Sequence, residues 1–301
     1  MRRLLWLAAA ACFLVAGCTS SGHEGRAGGE LPRPLSGAAH FSADQADALR
    51  GMEEEEIRSC MRERGHVYRT APVSDPRRLA AENPYGLLDA DWAEDDGYGI
   101  TAGQLAGRPR DPNAPHLSSL PKAERAAWEK ALLGEEKNHR TLTLPDGMKI
   151  GYDPRSCVEV ASSTVYGKRW TELRYLVEAL TNDIVTAVRD TPGFRDAELA
   201  WADCMAEHGH AYRKLSEPRS ETKQRLEKTG QDPVAQRSVG RDELVLARHD
   251  LACQRDTELA RAVTEAQGEA EVKSREQWRK EIEEYGAMKA SALVKADRAA
   301  E

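Results

Sequence analysis

Residues 57–69 read IRSCMRERGHVYR, and residues 201–213 read WADCMAEHGHAYR. From each cysteine onward, seven of ten positions are identical, in the pattern C-M-x-E-x-G-H-x-Y-R. The stretch before each cysteine has a helical composition, and the glycine five residues after it suits a helix end, where a positive φ is needed. The sequence therefore predicts a duplicated element in which a helix carrying Cys-Met stops at the glycine.

Four cysteines organise the two copies. Each repeat cysteine is followed by another one, Cys60 by Cys157 and Cys204 by Cys253. Four cysteines allow three pairings. The pairing Cys60–Cys157 with Cys204–Cys253 respects the repeat, and we predict it over the two alternatives. Each disulfide would then join a Cys-Met helix to a later helix of the same module.

The N-terminus has the pattern of an export signal. A basic start at residues 1–3 precedes an apolar run at residues 4–16, which is too short to span a bilayer as a mature helix. The run ends in LVAGC at residues 14–18, which resembles a bacterial lipobox and implies acylation of Cys18, for example with palmitate. The alternative is an ordinary secretory signal in which Cys18 is incidental. We expect a signal peptide at residues 1–17 and a lipidated flexible tether, rich in Ser, Gly and Pro, at residues 18–40.

The composition excludes several functional classes. The chain has 301 residues, with 43 basic and 50 acidic side chains and a formal charge of −7. A polytopic membrane protein would need several long apolar spans. A nucleic-acid-binding protein would need a basic surface that displaces counterions from phosphates. We therefore expect no nucleic-acid partner, and contact with the membrane through the lipid anchor only.

Periodicity and turn signals predict a mainly α fold of disulfide-stapled helical modules. Helices are expected over residues 41–64 with Ser42 as N-cap, and over 121–133, 171–189 and 196–208. A further helix, over 157–166, should be capped by Asp153-Pro154. Short apolar runs on both sides of Pro145-Asp146-Gly147 predict a small β-hairpin.

Two other regions are distinguished by composition. Residues 70–116 are rich in proline and glycine, which predicts irregular structure. Residues 241–299 contain no proline and predict a long C-terminal helix, with a bend or break at Gly268 or Gly286. The expected domains are a first disulfide helical module at 41–190 and a second helical module, with the long helix, at 191–301.

Histidines near the second predicted disulfide suggest a metal site. His208 lies four residues after Cys204, and His249 lies four residues before Cys253. On antiparallel helices joined at the cysteines, these side chains would meet, with His210 just beyond the helix end. Imidazole is a good ligand for Zn²⁺ and Cu²⁺. The simpler interpretation is a pair of partly exposed histidines at a helix interface, and Arg64 replaces His208 in the first copy.

Catalytic motifs do not fit the chain. Ser119 to Lys122 formally matches S-x-x-K, and Lys228-Thr229-Gly230 matches K-T-G, but Pro121 interrupts the first and S-D-N is absent. The sequence contains no H-E-x-x-H, G-x-S-x-G, P-loop or Rossmann fingerprint. We therefore expect no enzymatic activity and no cofactor.

The combined pattern resembles a family of secreted lipoproteins of high-GC Gram-positive bacteria to which no activity is assigned. The resemblance is carried by the lipobox, the two C-M-x-x-x-G-x-x-Y segments, the LPDG turn at residues 144–147 and the helix that begins at Ser156-Cys157. It covers roughly residues 43–264. It implies the architecture and an extracytoplasmic location, and it assigns no catalytic residue.

The sequence therefore predicts a lipid-anchored extracytoplasmic protein with a structural or partner-binding role at the cell envelope. Its partner would be an envelope protein or the cell wall. One candidate surface is a stripe on the C-terminal helix formed by Trp278, Ile282, Tyr285 and Met288; the alternative is that this stripe folds back on residues 173–188. A metal-binding envelope protein or metal-dependent enzyme using His208, His210 and His249 is the competing hypothesis.

Overall fold

The computed structural model describes residues 31–71, 75–107 and 110–300, most of which are helical. The predicted fold class is confirmed: a mainly α protein with disulfide-stapled helices, a small β-hairpin and a long C-terminal helix. Within the described residues, no helix is both long and apolar enough to cross a membrane. The predicted signal peptide, Cys18 and residues 19–30 of the tether lie outside this part of the chain.

The described part of the chain contains fourteen α-helices, one 3₁₀ turn and one β-hairpin. The first helices are α1 (Pro34–Gly37), α2 (Ala43–Glu63), α3 (Pro76–Ala81), α4 (Ala90–Asp96), α5 (Ile100–Ala106), α6 (Ala114–Ser119) and α7 (Lys122–Leu133). A 3₁₀ turn at Glu136–Asn138 leads into the antiparallel hairpin of β1 (Arg140–Thr143) and β2 (Lys149–Tyr152). The remaining helices are α8 (Cys157–Val165), α9 (Trp170–Asp190), α10 (Pro192–Glu207), α11 (Glu217–Lys228), α12 (Pro233–Asp256), α13 (Leu259–Gln277) and α14 (Arg279–Ala300).

Polar side chains that accept backbone N–H bonds determine where several helices begin. Ser42 and Gln45 form a reciprocal capping box at the start of α2, which confirms the predicted N-cap. Ser156 caps α8, so the predicted cap at Asp153-Pro154 is wrong. Asp153 instead accepts the N–H of Glu135 at 3.0 Å, which fixes the turn after α7.

Short helices occupy much of the segment that was predicted to be irregular. The helices α3, α4 and α5 have six or seven residues each, and α6 begins within the last residues of this segment, 70–116. Asp75 and Asp89 cap α3 and α4 through their side chains. Helices of this length show little of the 3.6-residue periodicity that marks a helix in a sequence. The proline and glycine content therefore led to the prediction of irregular structure.

The C-terminal helical region breaks at two positions that carry neither glycine nor proline. One break separates α12 from α13 at Glu258, which has a positive φ of 50°. The other separates α13 from α14 at Trp278. Gly268 and Gly286 lie inside helices, so the predicted break positions are wrong. The last helix still has 22 residues.

The main hydrophobic core is built around α9, whose apolar stripe is almost fully buried. This helix packs against α1, α8, α10, α13 and α14. A smaller core surrounds the Cys60–Cys157 bridge and includes Met61 and Trp128. The predicted module boundary at residues 190 and 191 falls between α9 and α10, whose buried residues share the main core.

The apolar stripe of the C-terminal helix packs against the body. Tyr285 is 2% exposed, and its ring stacks on that of Trp170 in α9 with centroids 4.6 Å apart. Trp278, Ile282 and Met288 are partly buried against the same core. The stripe is therefore not a free partner surface, and the alternative, that it folds back on α9, is the one observed.

The end of the predicted tether also belongs to the folded body. Leu35 is 3% exposed, and its N–H donates to the Glu271 carboxylate at 2.6 Å. Leu35 has a φ of 53°, a conformation that is costly for a branched side chain, and its burial with this bond holds it in place. The tether prediction is thus corrected at its end, where α1 packs against α9 and α13 and the carbonyls of Ala38 and His40 accept from Lys289 of α14.

Candidate functional site

Both copies of the repeat end in the same backbone turn. In each copy the histidine N–H donates to the carbonyl oxygen of the repeat methionine at 2.9 Å. Gly65 and Gly209 lie between them with φ of 81° and 83°. This bond pattern is the Schellman motif, which requires a residue that tolerates positive φ. The duplication predicted from identity is therefore present in the backbone geometry.

Two disulfides join Cys60 to Cys157 and Cys204 to Cys253, with Cα–Cα distances of 5.5 and 5.7 Å. The predicted pairing is confirmed. Each bridge connects a repeat helix, α2 or α10, to a later helix, α8 or α12. Cys157 and Cys253 are fully buried, so both bridges are part of the cores rather than surface links.

A buried glutamate stands six residues before each repeat cysteine, and the repeat pattern above did not include it. Glu54 and Glu198 are 2% and 7% exposed. Glu54 accepts the N–H of Ala71 at 2.8 Å, and Glu198 accepts the N–H of Leu215 at 3.1 Å. In both copies, therefore, a buried carboxylate fixes the chain that follows the turn. Extending the alignment upstream of each cysteine would have found this pair.

Three histidines meet at the end of the second repeat copy. His208 caps α10, His210 follows in the turn, and His249 comes from α12. His210 Nε2 lies 3.0 Å from His249 Nδ1. The rings of His208 and His249 stack with centroids 4.6 Å apart. The structure thus places the three predicted candidates together.

The sulfur atoms beside this cluster are not available to a metal in the oxidised chain. The Sγ atoms of Cys204 and Cys253 and a ring nitrogen of His208 lie within 4.8 Å of one another. Both sulfur atoms form the disulfide, whereas the metal ligand is a thiolate. The donor set at this position is therefore the imidazole nitrogens, which suit Zn²⁺ or Cu²⁺.

Protonation of His249 is disfavoured in the folded protein. Burial lowers the pKa of this imidazole, and the neighbouring His208 and His210 lower it further. The unfolded chain therefore binds this proton more readily, and stability falls as the pH drops below the unfolded value of about 6.5. At neutral pH the ring is in the neutral form that ligates metals.

The first repeat copy has different chemistry at the equivalent positions. Arg64 replaces His208, and its guanidinium donates to the carbonyl oxygens of Ala131 and Arg155. His66 is the counterpart of His210. The histidine cluster is consequently a property of the second copy alone, and His66 offers a matched control for it.

A cavity of about 1040 Å³ opens between residues 33–41, residues 78–86 and the helices α9 and α10. Protein pockets for small molecules measure about 300–1,000 Å³. The charged side chains of its lining are mostly basic: six are Arg33, Arg78, Arg189, Arg195, Lys214 and Arg219, against the acidic Glu82, Asp190 and Glu198. No sequence pattern indicates this cavity, because separate segments supply its lining.

A buried carboxylate lies behind one wall of this cavity. Asp250 is fully buried and accepts hydrogen bonds from Tyr98 Oη at 2.9 Å, Trp201 Nε1 at 2.8 Å and Gln254 Nε2 at 2.8 Å. Burial raises the pKa of Asp250, and these bonds and Arg219 oppose that effect. The carboxylate ties α4–α5, α10 and α12 together.

No family model, no curated protein and no solved structure matches the chain. Function is therefore argued from the described residues and from the sequence pattern of the N-terminus.

Proposed function

We propose that this protein is a lipid-anchored extracytoplasmic protein that binds a partner at the cell envelope and catalyses no reaction. The observation that carries the proposal is the use of all four cysteines after Cys18 in two disulfides. Disulfides of this kind form and persist in oxidising compartments and are rare in the cytosol. Since the bridges lie in the cores, the folded chain depends on that environment.

The anchor of this proposal is Cys18. The pattern LVAGC at residues 14–18 supports it, as does the basic and apolar start of the chain. The described body begins at Leu31, which leaves twelve residues, 19–30, between the anchor and the body. A chain of this length spans at most about 40 Å. The body would accordingly work close to the membrane that carries it.

Fatty-acid labelling tests the anchor. In cells grown with an alkyne-tagged palmitate, we expect label on the wild-type protein and none on the Cys18→Ala variant. Cys12→Ala is the matched control, because Cys12 lies in the predicted signal peptide and should be removed with it. The Cys12→Ala protein should therefore keep the full label. Equal labelling of wild type and Cys18→Ala would reject the lipid anchor.

We propose, as a second candidate function, that the protein binds Zn²⁺ or Cu²⁺ at the second repeat copy. The supporting observation is the position of His249, whose Nδ1 lies 3.0 Å from His210 Nε2 and whose ring stacks on that of His208. A bound ion would replace the hydrogen bond between His210 and His249 and draw on neutral imidazoles. This role is compatible with the envelope location, where the neighbouring disulfide stays oxidised.

Titration of the purified full chain with ZnCl₂ and with CuCl₂ tests the metal site. We expect one ion per chain, with affinity at least tenfold lower in His249→Ala, because His249 is the histidine that contacts both of the others. His66→Ala, which removes the equivalent histidine of the first copy, should bind like wild type. If neither ion binds in a saturable way, or if His249→Ala binds as tightly as wild type, the site is not a metal site.

A further inference from the structure

The lining of the large cavity has a charge opposite to that of the chain as a whole. The protein carries a formal charge of −7, whereas six basic and three acidic side chains line this cavity. A concave site of one sign focuses the field and attracts ligands of the other sign. Each acidic group of the lining is ion-paired with a basic one, Glu82 with Arg78, Asp190 with Arg195 and Glu198 with Lys214. The basic groups therefore remain in excess, which suits the cavity to an anion.

Three guanidinium groups converge on the main-chain loop that forms one wall. Arg33 donates to the carbonyl oxygens of Ala80 and Glu82, Arg189 to that of Pro84 at 2.9 Å, and Arg219 to that of Gly86 at 3.2 Å. The contacts of Arg189 and Arg219 are therefore to carbonyl oxygens, which satisfy N–H donors without forming an ion pair.

Arg189 and Arg219 are two basic lining residues outside these ion pairs. Arg219 also lies over the Tyr98 ring, 4.8 Å from its centroid, and Tyr98 donates to the buried Asp250. Among the described residues, no carboxylate oxygen lies within 4.0 Å of a nitrogen of either group. Both arginines bind carbonyls only two residues apart in the chain, so their charges lie near each other at the wall formed by residues 84–86. Arginine presents a planar fork of donors that suits phosphate and carboxylate groups.

The rest of the lining is largely apolar. Phe41 and Ile100 are partly exposed, and Leu79 is 46% exposed, which is high for a large aliphatic side chain. These side chains line the same cavity as the two arginines. A ligand with an apolar part would remove this surface from water, which favours its binding.

We propose that this cavity binds an anionic amphiphile, a molecule with one phosphate or carboxylate group and an apolar body. The anionic group is held beside this wall by Arg189 and Arg219, and the apolar body lies against Phe41 and Leu79. This site is independent of the lipid anchor and of the histidine cluster, and it gives the protein a small-molecule ligand.

Calorimetric titration of the purified full chain tests the proposal with three probes. They are 1-naphthyl phosphate, which has both features, 1-naphthol, which lacks the charge, and inorganic phosphate, which lacks the apolar body. We expect 1-naphthyl phosphate to bind one per chain and each of the other two at least tenfold more weakly. Equal binding of 1-naphthol, equal binding of inorganic phosphate, or no saturable binding of 1-naphthyl phosphate would overturn the proposal.

Substitutions locate the binding. The double variant Arg189→Gln/Arg219→Gln should bind 1-naphthyl phosphate at least tenfold more weakly, and Arg189→Lys/Arg219→Lys should regain most of the affinity. Arg261→Gln is the matched control for charge, because Arg261 is 62% exposed and paired with Glu258 and Glu265 outside the cavity; its affinity should not change.

A second variant, Ala46→Phe, tests the same cavity without changing any charge. It keeps the proposal testable if Arg189→Gln/Arg219→Gln does not fold. Ala46 lines the cavity from α2, and Ala46→Phe adds a ring there. We expect it to weaken the binding of 1-naphthyl phosphate at least fivefold, with a thermal midpoint close to that of wild type. Unchanged affinity in a folded Ala46→Phe protein would place the ligand elsewhere and overturn the assignment to this cavity.

Discussion

Replacing both Cys204 and Cys253 by alanine should lower the free energy of unfolding by about 4 kcal/mol. This bridge closes a loop with a sequence separation of 49, and the loss of chain entropy in the unfolded state grows with the logarithm of that length. The substitution also removes two sulfur atoms beside the main core, where Cys253 has no exposed surface. Urea denaturation followed by circular dichroism measures the effect.

The other bridge provides the comparison. Its sequence separation is 97, so Cys60→Ala/Cys157→Ala should cost about 5 kcal/mol in the same chain-entropy account. Wild type treated with a reductant should lose about as much free energy of unfolding as the two double variants lose together. A loss below 1 kcal/mol for the Cys204 and Cys253 pair would show that the bridge does not staple the core.

Replacing Asp250 by alanine should cost about 3–5 kcal/mol. The carboxylate is fully buried and accepts from Tyr98, Trp201 and Gln254. Its removal leaves three buried donors without an acceptor, and each unsatisfied buried group costs about 1–3 kcal/mol before the structure relaxes. Trp201 lies in the second repeat, and Tyr98 lies between α4 and α5. The loss of their shared acceptor should therefore destabilise both regions.

Asp242 on the same helix is the matched control for this substitution. Its side chain is 52% exposed and pairs with Arg225 at the surface, so Asp242→Ala should cost less than about 1 kcal/mol. Asp250→Asn should lie between the two, because an amide oxygen still accepts while the amide nitrogen cannot. Thermal unfolding of the three variants ranks them. Equal midpoints for Asp250→Ala and Asp242→Ala would contradict the role of the buried network.

The repeat allowed much of the second module to be predicted from sequence. Identity between the two copies gave the disulfide pairing, and the spacing of His208 and His249 from their cysteines gave their proximity. The first inference uses the correspondence of the two copies, and the second uses local helical geometry, in which residues four apart lie one turn apart. The backbone of the helix fixes that geometry, so the proximity of the two histidines does not depend on the details of tertiary packing.

The features that sequence reasoning missed depend on contacts between distant segments. Asp250 reads as an ordinary charged residue of a helix, because its partner Tyr98 lies 152 positions away. The break at Glu258 has no glycine or proline to mark it, and tertiary packing overrides local propensity there. The cavity has the same origin, since its basic residues come from separate helices and loops.

Non-reducing peptide mass spectrometry of the protein isolated from its own membranes tests the central claim, an exported and lipid-anchored body held by two disulfides. The account predicts an acylated peptide that begins at Cys18, together with linked peptides joining Cys60 to Cys157 and Cys204 to Cys253. An unmodified Cys18 still joined to Gly17, or free alkylatable thiols at the four cysteines of the body, would contradict it.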